Sequence, residues 1–307
     1  MNNNKPLVAI IMATCDGDDF IEEQIESILK QNNVNVHFYI SDDNSTDGTL
    51  NIIHDYRQKY PENFKGLFNI RFKKPCKNFL SLVNKIDDSY DYYAFSDQDD
   101  IWFPDKLEHA IDIINQGYDL YCGRTEIVNS KLTSFGYSPL FSFPPSFQNA
   151  IVQSIAGGNT MVFNKKIFTL LKNNSQADVQ SHDWWTYLLA TFTGHKVYYD
   201  KNPKVLYRQH SHNYHGSNIG SFNKIIRIFY ALIGRYKSWT DEHFLELSKI
   251  VDLGTKQSLK TFYQFGILRN RRSLFKFSTN DINRAGIYRQ TAEGNLFLKI
   301  AIFLRRV

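Results

Sequence analysis

LVAIIMATCDGDDFIEEQIESIL, residues 7–29, carries the reading of the fold. Leu7 to Met12 form an unbroken apolar run, which suits a strand buried on both faces rather than one with a wet side. Ala13 to Asp19 then turn polar and acidic. Ile21, Ile25, Ile28 and Leu29 follow at the spacing of one helical face. Asp19, with Glu22 three residues on, has the form of a capping box that would start this helix. Strand, polar turn and helix in that order open a unit whose next strand runs parallel to the first.

The alternation continues outward. VHFYI (36–40) ends in SDDNSTDGT (41–49), a polar turn ahead of a helix with Leu50, Ile53 and Tyr56 inward. FNIRF (68–72) and YYAFS (92–96) read as further strands. Pro104 stands where a helix start tolerates proline, and Leu107, Ala110, Ile111 and Ile114 give that helix its stripe. The fold class is therefore α/β, a mostly parallel central sheet with helices on both faces. From 121 to 220 the pattern loosens. TMVF (160–163), KVYY (196–199) and KVLY (204–207) suit strands, and Asp183 through Phe192 suits a helix. Beyond 221 the chain turns helical and basic. The expected division is a catalytic domain over 1–220 and a basic helical appendage over 221–307.

The chain's 307 residues, 42% hydrophobic and 22% charged, suffice for one large domain with an appendage and exclude a wholly disordered chain. Three cysteines, Cys15, Cys76 and Cys122, make no CxxC pair and no disulfide framework, which points to a reducing compartment. MNNNKP at the start offers no signal-peptide apolar core, and no run of 18 apolar residues suggests a membrane span. The net charge of +5 is uneven: 221–307 carry +10 and 1–220 carry −5. A basic tail suits an anionic partner. With no nucleic-acid module recognisable, the expected partner is an anionic membrane surface and not a nucleic acid; the alternative is a helical appendage packed on the catalytic domain with a solvated basic face.

In sheets of this kind ligands bind at the carboxyl ends of the strands. Three polar clusters fall there: Thr14-Cys15-Asp16, Asp42-Asp43, and Asp97 to Asp100. SDQDD (96–100) sets Asp97 and Asp99 two residues apart, a spacing at which carboxylates share a hard divalent cation with substrate phosphates. A solvated acidic turn would look the same in isolation. The strand end before it and IWFPDK after it weigh for a site.

VAIIMATCDGDDFIEEQIESILKQ, SDDNSTDGT, FSDQDDIWFPDKL, GGNTMVFNKK, SHDWW and YRQH occur in that order over residues 7–220. Together they resemble the family 2 glycosyltransferases, and most nearly the bacterial rhamnosyltransferase-like branch that builds cell-surface polysaccharides. The resemblance implies the GT-A nucleotide-sugar-binding fold. It implies a metal-dependent, inverting transfer of a sugar, with rhamnose the candidate, from a nucleotide-diphosphate donor. The acceptor would be a hydroxyl of a growing cell-surface glycan or a lipid-linked glycan, and the cofactor Mg2+ or Mn2+. An enzyme of this kind would be cytoplasmic and peripheral at the inner face of the cell membrane.

Carried over by position, the resemblance implies that Ala13, Thr14 and Asp16 line the donor's nucleotide pocket. Asp42 and Asp43 would contact its base or ribose, and Asn78 would lie near the nucleotide or diphosphate. Asp97 and Asp99 would form the DxD element, with Asp99 the direct metal ligand and His210 approaching the metal or diphosphate. Gly157, Gly158 and Asn159 would shape the acceptor side, and Asp183 would be the catalytic base. Cys15-Asp16 departs from the family's usual Tyr-Asn, and His212 and His215 lie outside its pattern.

Several residues carry a second reading. Asp183 opens an apparent helix, so it is either a base or a plain N-cap. Cys15 is expected to be a buried small hydrophobe rather than a nucleophile. His182, His210, His212 and His215 lack the spacing of a closed zinc site. Of Trp184 and Trp185, one is expected to face the acceptor and the other the core. A nucleotidyltransferase is the rival enzyme, but its basic Gly-rich loop is replaced here by the acidic TCDGDD. A non-catalytic nucleotide-binding partner subunit is the other rival, and intact Asp97, Asp99 and Asp183 stand against it.

Overall fold

A computed structural model describes residues 5–210, 235–269 and 279–307. His212 and His215, and the parts of the basic tail at 221–234 and 270–278, lie outside the described residues. The chain forms two compact units. One comprises Met1–Leu140, Ala156–Gln176 and Tyr198–Ser217, and the other Phe141–Ile155, Ala177–Val197 and Asn218–Val307. The division expected at 220 lies near the start of the second unit's last segment, and that unit also takes in two earlier stretches.

The main sheet has seven strands: β1 (Leu7–Thr14), β2 (Asn35–Asp42), β3 (Phe64–Asn69), β4 (Tyr92–Ser96), β6 (Leu120–Gly123), β9 (Val162–Asn164) and β10 (Val197–Asp200). Their order is β10-β6-β9-β4-β1-β2-β3. β1 pairs in parallel with β2 and with β4, β2 pairs in parallel with β3, and β9 runs antiparallel to β4 and β6. A smaller sheet joins β5 (Ile101–Trp102), β11 (Val205–Gln209), β7 (Glu126–Asn129) and β8 (Ser134–Tyr137) in that order.

Alternation along the strands divides the core between two faces. Val8, Ile10 and Met12 of β1 and Ala94 of β4 share one apolar cluster with Ile21, Ile25 and Ile28 of α1 (Ile21–Leu29), Ile53 of α2 (Thr49–Lys59) and Leu107 of α4 (Lys106–Asn115). The neighbours of Ala94 point the other way. Phe95 meets Phe79 of α3 (Pro75–Lys85), ring centroids 5.5 Å apart, and Tyr93 stacks at 3.8 Å on Phe168 of α6 (Lys165–Asn173). Helices therefore cover both faces, as the unbroken apolar run of β1 requires. Each large apolar side chain buried this way contributes about 1.5–3 kcal/mol.

Three local expectations need correction. The third strand is Phe64–Asn69, not 68–72. Phe64 pairs with Phe38 and stacks on it at 4.8 Å, which sets the register, and Ile70 is left exposed. Helix α3 was not foreseen; Pro75 sits in its first turn and Phe79, Leu80, Leu82 and Val83 are buried. Asp19 and Glu22 make no capping box: Phe20 is the N-cap, and Gly17 O accepts from the backbone of Phe20 and Ile21.

The second unit contains α5 (Phe147–Ala150), α7 (His182–Phe192), α8 (Arg235–Ser248), α9 (Lys256–Arg269), α10 (Thr279–Ala285) and α11 (Ala292–Phe303). α7 is buried almost all round, as a helix at the middle of a bundle must be. Phe192 at its end meets Phe147 at 5.1 Å and Phe262 at 6.1 Å. The Phe192 carbonyl accepts from Thr255 N (3.2 Å) and Ser258 Oγ (2.6 Å), so the helix end is satisfied by α9 and its lead-in. Gly194 adopts φ +86° and lets His195 N reach Ala190 O at 2.8 Å, the glycine-dependent closure of a helix C-terminus.

Candidate active site

Strand register assembles the polar clusters. Thr14 pairs with Asp42 and Met12 with Ser96, so the loops after β1, β2 and β4 leave one edge of the sheet side by side. Ala13, half-buried, precedes the first of them. Asp42 is buried, and its carboxylate accepts from Thr14 Oγ1 (2.8 Å), Ser45 N (2.7 Å) and Ser45 Oγ (2.6 Å). It organises the turn with both oxygens in use. Asp16, at φ +44°, accepts from Thr46 N at 2.7 Å and so ties the first loop to the second. Asp43 N donates to Thr14 O (2.8 Å), and its Oδ1 accepts from the backbone of Phe72 and of Lys73, the latter at 3.1 Å.

Asn78 lies buried on α3. Its Nδ2 donates to Ser41 O at 3.0 Å, which fixes the amide orientation because a carbonyl only accepts. Asn78 Oδ1 is left buried with no partner. Cys15 is exposed, which corrects the expectation of a buried small hydrophobe; it belongs to a loop beyond the strand end. Partial desolvation and then the Asp16 carboxylate push its thiol up to about 11, so it stays protonated near neutrality.

Gln98, the middle residue of Asp97-Gln98-Asp99, clamps the first loop: Cys15 N donates to its Oε1 (2.7 Å) and its Nε2 donates to Cys15 O (2.9 Å). A Cβ at Gly17 would stand 2.4 Å from Gln98 Cδ, so this approach requires glycine. Asp97 is half-buried at the start of the same loop. Asp99 Oδ2 lies 2.8 Å from His210 Nε2, and the His210 ring is 4.6 Å from that of Phe20. Arg208, two residues before His210, is fully buried. It donates Nε to Asp99 O (2.9 Å) and Nη1 to Ser130 O (2.7 Å), and pairs with Glu23. Its own backbone N donates to Asp100 Oδ1 at 3.2 Å.

Asp100 and Lys106 are both buried behind this loop, joined through Asn159. Asn159 Nδ2 donates to Asp100 Oδ2 (2.6 Å), and Lys106 Nζ donates to Asn159 O (2.7 Å) while standing 3.0 Å from the centroid of the Trp102 ring. Burial, then Asp99 and Asp97, hold Asp100 well above the usual carboxylate range, and burial pulls the Lys106 amine well below its own. Asn159 is thus engaged behind the acidic loop. Gly157 and Gly158 lead its short turn, in which Gly157 O accepts from Thr160 N (3.0 Å) and Thr160 Oγ1 (2.7 Å). Among the described residues, no group of three or more His, Cys, Asp and Glu is arranged to hold a metal ion. Asp99 and His210 offer one carboxylate oxygen and one imidazole nitrogen 2.8 Å apart, a mixed pair that fits Mn2+ better than Mg2+, which prefers oxygen alone.

Residues 9–178, more than half of the chain, match the family model described as Glycosyl transferase family 2. The chain belongs to glycosyl transferase family 2. It is a glycosyltransferase, which decides against the nucleotidyl-transfer alternative. The dTDP-rhamnosyl transferase RfbG of Shigella flexneri is 34% identical over 229 residues, 71% of this chain and 78% of that protein. The putative teichuronic acid biosynthesis glycosyltransferase TuaG of Bacillus subtilis is 32% identical over 116 residues, 37% of this chain and 44% of that protein. Among solved structures, Staphylococcus aureus TarS 1–349 in complex with UDP-GlcNAc aligns with a TM-score of 0.57 at 16% identity, over 98% of this chain and 88% of that one. The mannosyltransferase PcManGT from Pyrobaculum calidifontis, in complex with GDP-Man and Mn2+, aligns with a TM-score of 0.53 at 14% identity, over 98% and 87%. The α/β architecture of this family 2 glycosyltransferase is the GT-A fold.

Asp183 lies in the second unit. Ser181, not Asp183, is the N-cap of α7, and its Oγ accepts from Trp184 N at 3.3 Å. Asp183 falls in the first turn, where its Oδ1 accepts from Trp184 N (2.6 Å) and from the Ser181 hydroxyl. Trp184 and Trp185 are both buried, and Trp184 Nε1 donates to Ala150 O at 2.7 Å. His243 of α8 packs on Trp184, ring centroids 4.5 Å apart, and is buried with neither ring nitrogen hydrogen-bonded. Burial pulls its pKa down to about 3, against the opposing pull of Asp183.

The family pattern had drawn attention to His210 alone within YRQH. An arginine that proves buried in a strand must be paired, and its place in YRQH was the one sign pointing to Arg208. Gln98, Lys106 and His243 left no such sign, because their roles depend on partners distant in sequence.

Proposed function

We propose that this family 2 enzyme transfers rhamnose from dTDP-rhamnose, with inversion, to a hydroxyl of a growing cell-surface glycan or lipid-linked glycan. The observation that carries the reading is the acidic edge at the strand ends, where Asp99 and His210 meet at 2.8 Å on a loop braced from behind by Arg208. The likeness to a dTDP-rhamnosyl transferase supports the choice of donor. Asn78 Oδ1, a buried unpaired acceptor, suits a nucleotide base with a ring N–H donor, which thymine shares with uracil and guanine.

Asp99 and His210 would hold Mg2+ or Mn2+, with Asp97 beside them. Such an ion, when bound, neutralises charge on a leaving diphosphate. Thr14, Asp16, Asp42 and Asp43 shape the nucleotide side, largely by fixing the loops that line it. Asp183, in the first turn of α7, takes the proton of the acceptor hydroxyl. Gly157 and Gly158 border the acceptor side with Asn159 braced behind them, whereas Trp184 and Trp185 are both buried, so neither presents the acceptor face expected of one of them. With Asp183 as a base acting on the acceptor hydroxyl, direct displacement with inversion is the simplest course. The basic C-terminal region holds the cytoplasmic enzyme peripherally at the inner face of the membrane.

The test is release of dTDP from dTDP-rhamnose, compared with UDP- and GDP-sugars, with Mn2+, Mg2+ or chelator. Product configuration is read by NMR. Turnover only with another nucleotide moves the donor assignment, and a retained anomeric configuration refutes inversion.

A further inference from the structure

We infer that the outward face of α11 is the element that seats the chain on an anionic lipid surface. The inference rests on the peripheral-membrane reading and gives it an address. α11 is apolar on both sides. Leu298, Ala301 and Ile302 are buried in the second unit, yet Leu296, Ile300 and Phe303, at i, i+4 and i+7, are 60%, 42% and 46% exposed. Leu304, just past the helix end, is 47% exposed. Single exposed apolar side chains are ordinary, but a stripe aligned along one helix face marks an interaction surface.

The charges beside the stripe choose the partner. Lys299 is exposed within it, Arg305 and Arg306 are exposed just beyond the helix, and the helix's one acidic residue, Glu293, sits in its opposite first turn. The centre of a protein–protein interface is depleted of lysine. In the boundary of a bilayer, a lysine keeps its stem among apolar groups while its ammonium reaches the headgroups. α9 repeats the pattern: Lys256, Lys260, Tyr263 and Ile267 are exposed at helical spacing, and a tyrosine has the apolar body and polar tip that an interface favours. No helix among the described residues is long and apolar enough to cross a membrane, so α11 would lie in the interface plane.

The experiment is cosedimentation of the full chain with phosphatidylcholine vesicles, with and without phosphatidylglycerol, at low and high salt. Wild type should bind the anionic vesicles and lose binding as salt rises. Ile300→Ser with Phe303→Ser should weaken partitioning about tenfold or more. Lys299→Glu should weaken it about thirtyfold at low salt, the scale for reversing one charge near the headgroups. All variants should keep donor turnover, and Lys299→Glu, at an exposed position, should also keep the wild-type melting temperature. If wild type binds and the variants bind equally, the α11 assignment is wrong while the peripheral reading stands. If wild type binds neither vesicle, both fall. If the variants instead abolish a concentration-dependent dimer, the face is a protein interface and the inference is overturned.

Discussion

Arg208→Met tests whether the acidic loop is held from behind. Methionine keeps much of the stem's volume but removes every guanidinium donor. Asp99 O, bonded at 2.9 Å, would lose its buried donor, at about 1–3 kcal/mol, while Ser130 O, bonded at 2.7 Å, belongs to an exposed residue and can rehydrate. Glu23 is 54% exposed on its side chain and can rehydrate, so its lost ion pair adds little. The guanidinium also lies 4.6 Å from the Phe20 ring centroid, a contact of about 1 kcal/mol. The sum is about 2–4 kcal/mol, or roughly 5 °C in melting temperature for a chain of this size. Release of Asp99 from its brace should also lower turnover about a hundredfold, the usual penalty for a misplaced group. Thermal melts and dTDP release measure the two effects. Arg208→Lys should recover little, because one ammonium cannot replace the fork. A variant that melts and turns over like wild type would refute the brace, and one that only melts earlier would show that Asp99 is positioned by something else.

Asp99→Asn should abolish metal-dependent turnover with an unchanged melt; near-normal turnover at saturating Mn2+ would remove Asp99 as a ligand. Asp183→Asn should cut kcat by about a hundredfold or more with donor affinity kept, and a parallel loss of affinity would instead mark a structural role. Asn78→Leu should raise the KM for dTDP-rhamnose several-fold with little change in kcat, and an unaltered KM would take the base away from Asn78. His243, held at about 3 when folded against ~6.5 when unfolded, lets the unfolded chain bind the proton first, so stability is whole above pH ~6.5 and falls by about 1.4 kcal/mol per unit toward pH 3. His243→Phe should flatten that acid slope in urea melts at pH 7 and 5, and an identical slope would show that other groups cause it.

Much of the first unit is legible in local pattern. The buried run of β1, the stripe of α1 and the strand at 92–96 are short-range features, and the structure keeps them. The position of Asp97 to Asp100 at a strand end follows from those alone. What the pattern missed depends on partners far along the chain. Phe38 draws Phe64 into register and moves the third strand upstream, and the freed stretch from Pro75 becomes a helix. Ser181 takes the cap, two residues before Asp183, a difference that composition does not resolve. Arg208 and His210 meet the acidic loop across 109 and 111 positions. The resemblance pointed to His210, while the arginine's work is visible only in its contacts.

The Asp100–Asn159–Lys106 chain bears on how such enzymes can be recombined. The acidic loop has the look of a portable cassette of five residues, SDQDD, to be exchanged between relatives to alter donor choice. Its last aspartate, however, shares an asparagine with a lysine in the next helix, and both are sealed from water. Moving the cassette alone strands a buried amine or a buried carboxyl in a host that lacks the counterpart. A working chimera must carry positions 100, 106, 159 and 208 together, so the inheritable unit is a set of sites scattered over more than a hundred residues.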